Sequence, residues 1–132
     1  MIVSLHVATG AAGGALAGSR GRATLVGLAL HGAGDAMPHH DLPSRPFEIA
    51  SGLALLGLVV ARRGPGSAAV VGAIASSAPD LEHVLRLPRP GGRKLFPSHR
   101  VKGWHRVGGL PTWVQLLAAG VIVGLLVSGK EE

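Results

Sequence analysis

Apolar runs separated by short polar breaks divide the chain into five segments: Ile2–Ser19, Ala23–Met37, Phe47–Ala61, Ser67–Pro79 and Val107–Ser128. The last carries no charge and reaches the roughly 20 residues that a membrane-spanning helix needs. Its Trp113 suits a membrane interface. The first holds His6 as its only ionisable side chain. Arg20 and Arg22 follow that run rather than precede it, which argues for a retained helix over a signal peptide. Arg62-Arg63-Gly64-Pro65-Gly66 reads as a helix-breaking turn between the third and fourth runs. Segments two to four are short for full spans and would tilt or sit as partial spans. The pattern predicts an all-α fold, a small multi-pass transmembrane bundle of about four to five hydrophobic helices, in one membrane-embedded domain over residues 1–132. The same runs also fit a soluble bundle of hydrophobic helices.

Composition favours the membrane reading. Hydrophobic residues make up 47% of the chain and charged residues 15%, where soluble domains carry about a quarter. Aromatics are 3% and glycines number 21, a balance suited to close helix packing in lipid. Gly10, Gly14 and Gly18 form one stripe at helical spacing, and Gly120 and Gly124 a second. The chain has no cysteine, which excludes thiolate metal sites, disulfides and cysteine nucleophiles.

Charge placement then gives a topology. Loops two and four hold eight of the 13 lysines and arginines, Lys130 being counted on the opposite side with the C-terminal tail. Five spans with the N-terminus inside make those two loops cytoplasmic. Loop four, residues 80–106, is a basic, histidine-containing segment with seven cations. Counting spans gathers all seven histidines at one face.

Those histidines lie beside carboxylates or cations, and ionisable groups in an oily chain mark a site. His31 and Asp35, four apart, project from one helix face. His39, His40 and Asp41 follow. Pro79-Asp80-Leu81-Glu82-His83 holds Asp80 and His83 three apart, and His99-Arg100 and His105-Arg106 alternate ligand and cation. Imidazole and carboxylate together suit a divalent ion of the zinc or manganese kind. The candidate metal ligands are therefore His6, His31, Asp35, His39, His40, Asp41, Asp80, His83, His99 and His105. One tetrahedral ion uses about four of these; the others orient them, hold a second ion or are simply polar. Glu82 is the candidate proton acceptor, and Arg100, with Arg106, the candidate anion holder.

An early helical histidine, then Pro-Asp-x-(Asp/Glu)-His, then His-Arg…His, resembles the membrane-bound metal-dependent hydrolase family that includes LexA-regulated inner-membrane proteins. The matching positions are His6, Pro79–His83, His99–His105, and His31 with Asp35. The chain differs from that pattern in four ways. It has one extra residue between His99 and His105, Trp104 and Arg106 where the pattern has Thr before and Ser after the second histidine, Glu82 in place of the second Asp, and the His31–Asp35 pair ahead of the Pro-Asp motif. The resemblance implies metal ligands at these positions, a hydrolase activity and an inner-membrane location.

Three functions compete. The first is a metal-dependent hydrolase acting on an ester or phosphoester, lipid-linked or free, with anionic lipid drawn to the basic loop. The second is a non-catalytic metal-binding protein, a sensor or transport component, although transporters place their ligands near the bilayer midplane. The third is a lipid-docking scaffold. Nucleic acid is not expected as a partner, because Phe96 and Trp104 are the only aromatics of loop four. No zinc-protease helix, Walker loop or nucleophile elbow is present.

Overall fold

The computed structural model describes residues 1–129, and they are helical with no strand among them. Three serines set where helices begin. The first helix, α1 (Val3–Ala17), stops at Gly18, whose φ of 70° places it in the left-handed region that ends helices. Ser19 then caps α2 (Arg20–Ala36), its hydroxyl accepting the Arg22 N–H. Ser44 caps α3 (Arg45–Arg63) through Phe47, and Ser67 caps α4 (Ala68–Ser77) through Val70. Each such cap contributes about 1 kcal/mol. A 3-10 turn over Ala78–Asp80 leads into the short α5 (Leu81–Val84). A long, largely exposed stretch follows, interrupted by α6 (Pro97–Arg100), before α7 (Thr112–Ser128) closes the chain.

The centre of the bundle is α1, which packs against α2, α3, α4 and α7. A helix apolar all round belongs inside, and Leu5, Val7, Ala8 and Ala11 are buried with Val59, Val70, Ala73, Ala119 and Val123. Glycine replaces bulk along the α1–α4 seam. A Cβ on Gly10 or Gly72 would fall on the other's carbonyl oxygen, and one on Gly14 would strike that of Ala68. Gly27 brings α2 onto the same seam, where its Cβ would lie 2.6 Å from the Gly72 oxygen. The expected stripes are thus half right. Gly18 is a helix terminator, and Gly120 and Gly124 have nothing within 4 Å of an added Cβ.

The membrane-spanning reading is overturned. No helix among the described residues is long and apolar enough to cross a membrane. The α4 helix has 10 residues, about 15 Å at 1.5 Å per residue, against a hydrocarbon core of about 30 Å. The longest, α3 with 19 residues, carries Arg45, Glu48, Arg62 and Arg63. The uncharged Val107–Ser128 run yields only 17 helical residues, because Pro111 is the N-cap and residues 107 and 110 pair with His39 instead. The multi-pass transmembrane bundle, its membrane-embedded domain, the N-inside topology and the inner-membrane placement with cytoplasmic loops all fall with the spans. Lys130, part of that charge count, lies outside the described residues. Apolar composition is divided instead between a core of small side chains and exposed leucines such as Leu16, Leu25, Leu53, Leu117 and Leu125.

Candidate metal centre

The start of α1, the end of α2, the turn after α4 and α6 meet at one end of the bundle. His6 comes from α1, fully buried. The last two turns of α2 supply His31 and Asp35 from one face, and α6 supplies Ser98 and His99. Asp35 is the hub. Its Oδ1 lies 3.2 Å from His6 Nε2. Its Oδ2 lies 3.0 Å from His31 Nε2 and 3.2 Å from His99 Nε2, and accepts the Ser98 hydroxyl at 2.6 Å. Asp80 completes the ring at longer range, 3.7 Å from His99 Nε2 and 3.9 Å from His6 Nε2.

The second nitrogen of each key imidazole decides what the first can do. His31 Nδ1 donates to the Ser76 carbonyl at 2.8 Å, and His99 Nδ1 donates to the Glu82 carboxylate. Both acceptors are oxygens that can only accept, so each neutral ring presents an Nε2 lone pair. Those two nitrogens lie 3.1 Å apart and both face Asp35 Oδ2. Three acceptor atoms turned toward one another are relieved by a positive charge, either a metal ion between them or a proton carried on His99. A ring N–H tied to an oxygen is also the usual support of a metal-ligating histidine. His6 Nδ1 and Asp80 Oδ2 are buried without a hydrogen-bond partner among the described residues. His6, His31 and Asp35, and likewise His31, Asp80 and His99, each bring their ligand atoms within 4.8 Å of one another. The chain therefore holds His/Asp clusters able to bind a metal ion.

Electrostatics follow from burial. Burial pushes the Asp35 carboxyl up, but hydrogen bonds from His31, His6, His99 and Ser98 outweigh it and hold the group well below the usual carboxylate range. Asp80 has fewer partners, and burial pushes it up to about 6. Burial lowers His6 to about 4. For His99 burial is outweighed by hydrogen bonds to Asp35 and Glu82, which raise it.

The remaining candidates separate into those near the hub and those apart from it. Glu82 is buried and fully engaged: it accepts the Leu95 N–H at 2.6 Å, the Phe96 N–H at 3.3 Å and the His99 ring. It positions His99 and is not free to take a proton. His83 meets His99 edge to face with ring centres 4.3 Å apart, and its Nδ1 accepts from Lys94 at 3.1 Å. It lies outside the ligand groups. Burial, with His99 and Lys94 nearby, lowers it to about 4. His40 is exposed; its carbonyl, not its ring, is used, accepting from Gln115 at 2.8 Å. Arg100 is exposed and does not line the cavity beside the hub. That cavity, of about 600 Å³, takes its cations from Arg45 and Lys94 instead, beside Asp35, Asp80, Ser98 and His99. His39, Asp41 and His105 form a separate group at its rim.

Ser98, Lys94 and Arg45 escape a sequence reading. Ser98 is one serine among several in the chain, and only the fold shows its hydroxyl anchoring Asp35. Nothing in the spacing of Arg45 or Lys94 distinguishes them from the other cations. No protein-family model, curated protein or solved structure matches the chain.

Proposed function

We propose that the chain is a metal-dependent hydrolase of phosphoesters, with one divalent ion, zinc or manganese, held by His31, His99 and Asp35 and completed by His6, with Asp80 beside it. The observation that carries this reading is the meeting of His31 Nε2, His99 Nε2 and Asp35 Oδ2 with both Nδ1 atoms already committed. Support comes from the resemblance to the metal-dependent hydrolase family, whose motif positions include all five of these residues. A divalent ion supplies Lewis acidity and a nucleophile at neutral pH.

The chain's own residues divide the rest of the work. Asp80 stands at the cavity wall, more distant from the imidazoles than Asp35, where its carboxylate takes the proton of an attacking water. Lys94 and Arg45 face the same cavity and hold an anionic phosphoryl group. Ser98 fixes Asp35, Glu82 fixes His99 and the Ser76 carbonyl fixes His31, so the ligands need little reordering on binding.

The test is metal content and phosphodiester hydrolysis of the purified chain, supplied with zinc or manganese. Replacing His31→Ala with His99→Ala removes one equivalent of metal and all hydrolysis of bis-p-nitrophenyl phosphate. Asp80→Asn retains metal and lowers the rate by about 100-fold or more. Failure to bind either metal sinks the reading; metal without hydrolysis leaves the non-catalytic metal-binding alternative.

A further inference from the structure

The rim of the cavity carries a second set of ligands that the hydrolase reading does not use. The connection after α2 runs extended past residues 106–110. The His39 N–H donates to Arg106 O at 3.2 Å, Gly108 N–H to His39 O at 3.1 Å, Leu110 N–H to Pro38 O at 3.0 Å and His40 N–H to Leu110 O at 3.0 Å. The pairing is tight. A Cβ on Gly109, whose φ is +83°, would lie 2.6 Å from the Pro38 oxygen. Gln115, fully buried in α7, clamps both segments by donating to His40 O at 2.8 Å and Leu110 O at 3.1 Å, while it accepts the Ile2 N–H at 3.1 Å. This backbone frame, not a helix, sets where His39 and His105 stand.

His39 is buried at 1% exposure, and its Nδ1 donates to the Met37 carbonyl at 2.6 Å. Its Nε2 therefore presents a lone pair, by the same logic as His31 and His99. That nitrogen lies 3.1 Å from His105 Nε2 and 3.2 Å from Asp41 Oδ1, with Asp41 Oδ1 3.9 Å from His105 Nε2. The Met1 ammonium donates to His39 Nε2 at 2.6 Å and to Asp35 Oδ1 at 3.3 Å, so the two clusters lie side by side and an ion bound by His39 displaces that ammonium.

We propose that His39, Asp41 and His105 form a second divalent-cation site, adjoining the first and opening into the same cavity. The ligand set is two imidazoles and one carboxylate, as in many zinc sites that keep positions open. Asp41 and His105 line the cavity with Asp35, Asp80 and His99, so an ion here faces the same bound anion. If the proposed hydrolase function holds, the pair suits a phosphoester clamped from two sides.

Titration of the metal-free full chain with zinc, followed by metal analysis after desalting, tests the site. Asp41 and His105 are 62% and 39% exposed, so Asp41→Asn with His105→Gln leaves the fold intact, checked by circular dichroism. The expected result is two equivalents in the wild type and one in this variant, the lost one being the weaker by about tenfold or more. The His31→Ala and His99→Ala variant retains the rim ion. One equivalent in the wild type, unaffected by Asp41→Asn and His105→Gln, overturns the second site and leaves the first standing. One equivalent lost only in that rim variant supports the second site and overturns the first.

Discussion

The buried cluster around Asp35 and the rim cluster around His39 use the same chemistry on different supports. In the buried cluster His31 and Asp35 are locked on one helix face, and His99 is held by Glu82 with 3% side-chain exposure on both. In the rim cluster only His39 is buried, and its partners sit on connections held by backbone pairing. Helices place side chains through their own hydrogen bonds, whereas a paired loop places them through register alone. A metal ion held in the buried cluster should therefore exchange slowly, and one held at the rim quickly.

The largest expected break in this contrast is Asp35→Ala. Removing the hub leaves imidazoles without their counter-charge, and folding stability should fall by about 3–5 kcal/mol, measured by urea denaturation of the metal-free chain. The sign with pH follows from its depressed carboxyl. The stabilisation is complete at neutral pH and is lost as the pH falls below the ordinary aspartate value of about 3.9. The Asp35→Ala variant should lose that part of the acid sensitivity.

Next comes the glycine seam. Gly72→Ala drives a methyl into the Gly10 carbonyl and should cost about 1–3 kcal/mol. It displaces α4, and with it the Ser76 carbonyl that holds His31, so the buried centre loosens while the rim centre is spared. Gly120→Ala, with open space around it, should instead stabilise by up to about 1 kcal/mol. Equal effects at both positions in thermal melts would refute the seam. Smaller still, Glu82→Gln should weaken metal binding at the buried centre about 10- to 100-fold and leave the rim unchanged. A loss of hydrolysis with metal affinity intact would instead return Glu82 to the chemistry.

The parts of this site that were legible in the chain are those that rest on helical spacing. His31 and Asp35 at i and i+4 share a face whatever the surroundings. What spacing could not distinguish was neighbour from neighbour. His39 and His40 are equivalent in sequence, but an extended segment sends adjacent side chains to opposite sides, so His39 turns inward and His40 outward. Glu82 and Asp80 differ by two positions, yet only the folded loop shows Glu82 tied to two backbone N–H groups. Apolar length misled for a related reason. Val107 to Leu110 read as part of a helix because they are uncharged, and their backbone is used elsewhere.

The grip of Glu82 has a consequence for how this chain can change. Its side chain holds the backbone at Leu95 and Phe96, and its carbonyl accepts from Arg89 at 3.0 Å. The exposed turn between, with Gly91 and Gly92 in the left-handed region, is fenced off from His99. Length and charge over residues 90–93 can therefore change by insertion or exchange while the ligand ring, and Lys94 at the cavity wall, stay in place.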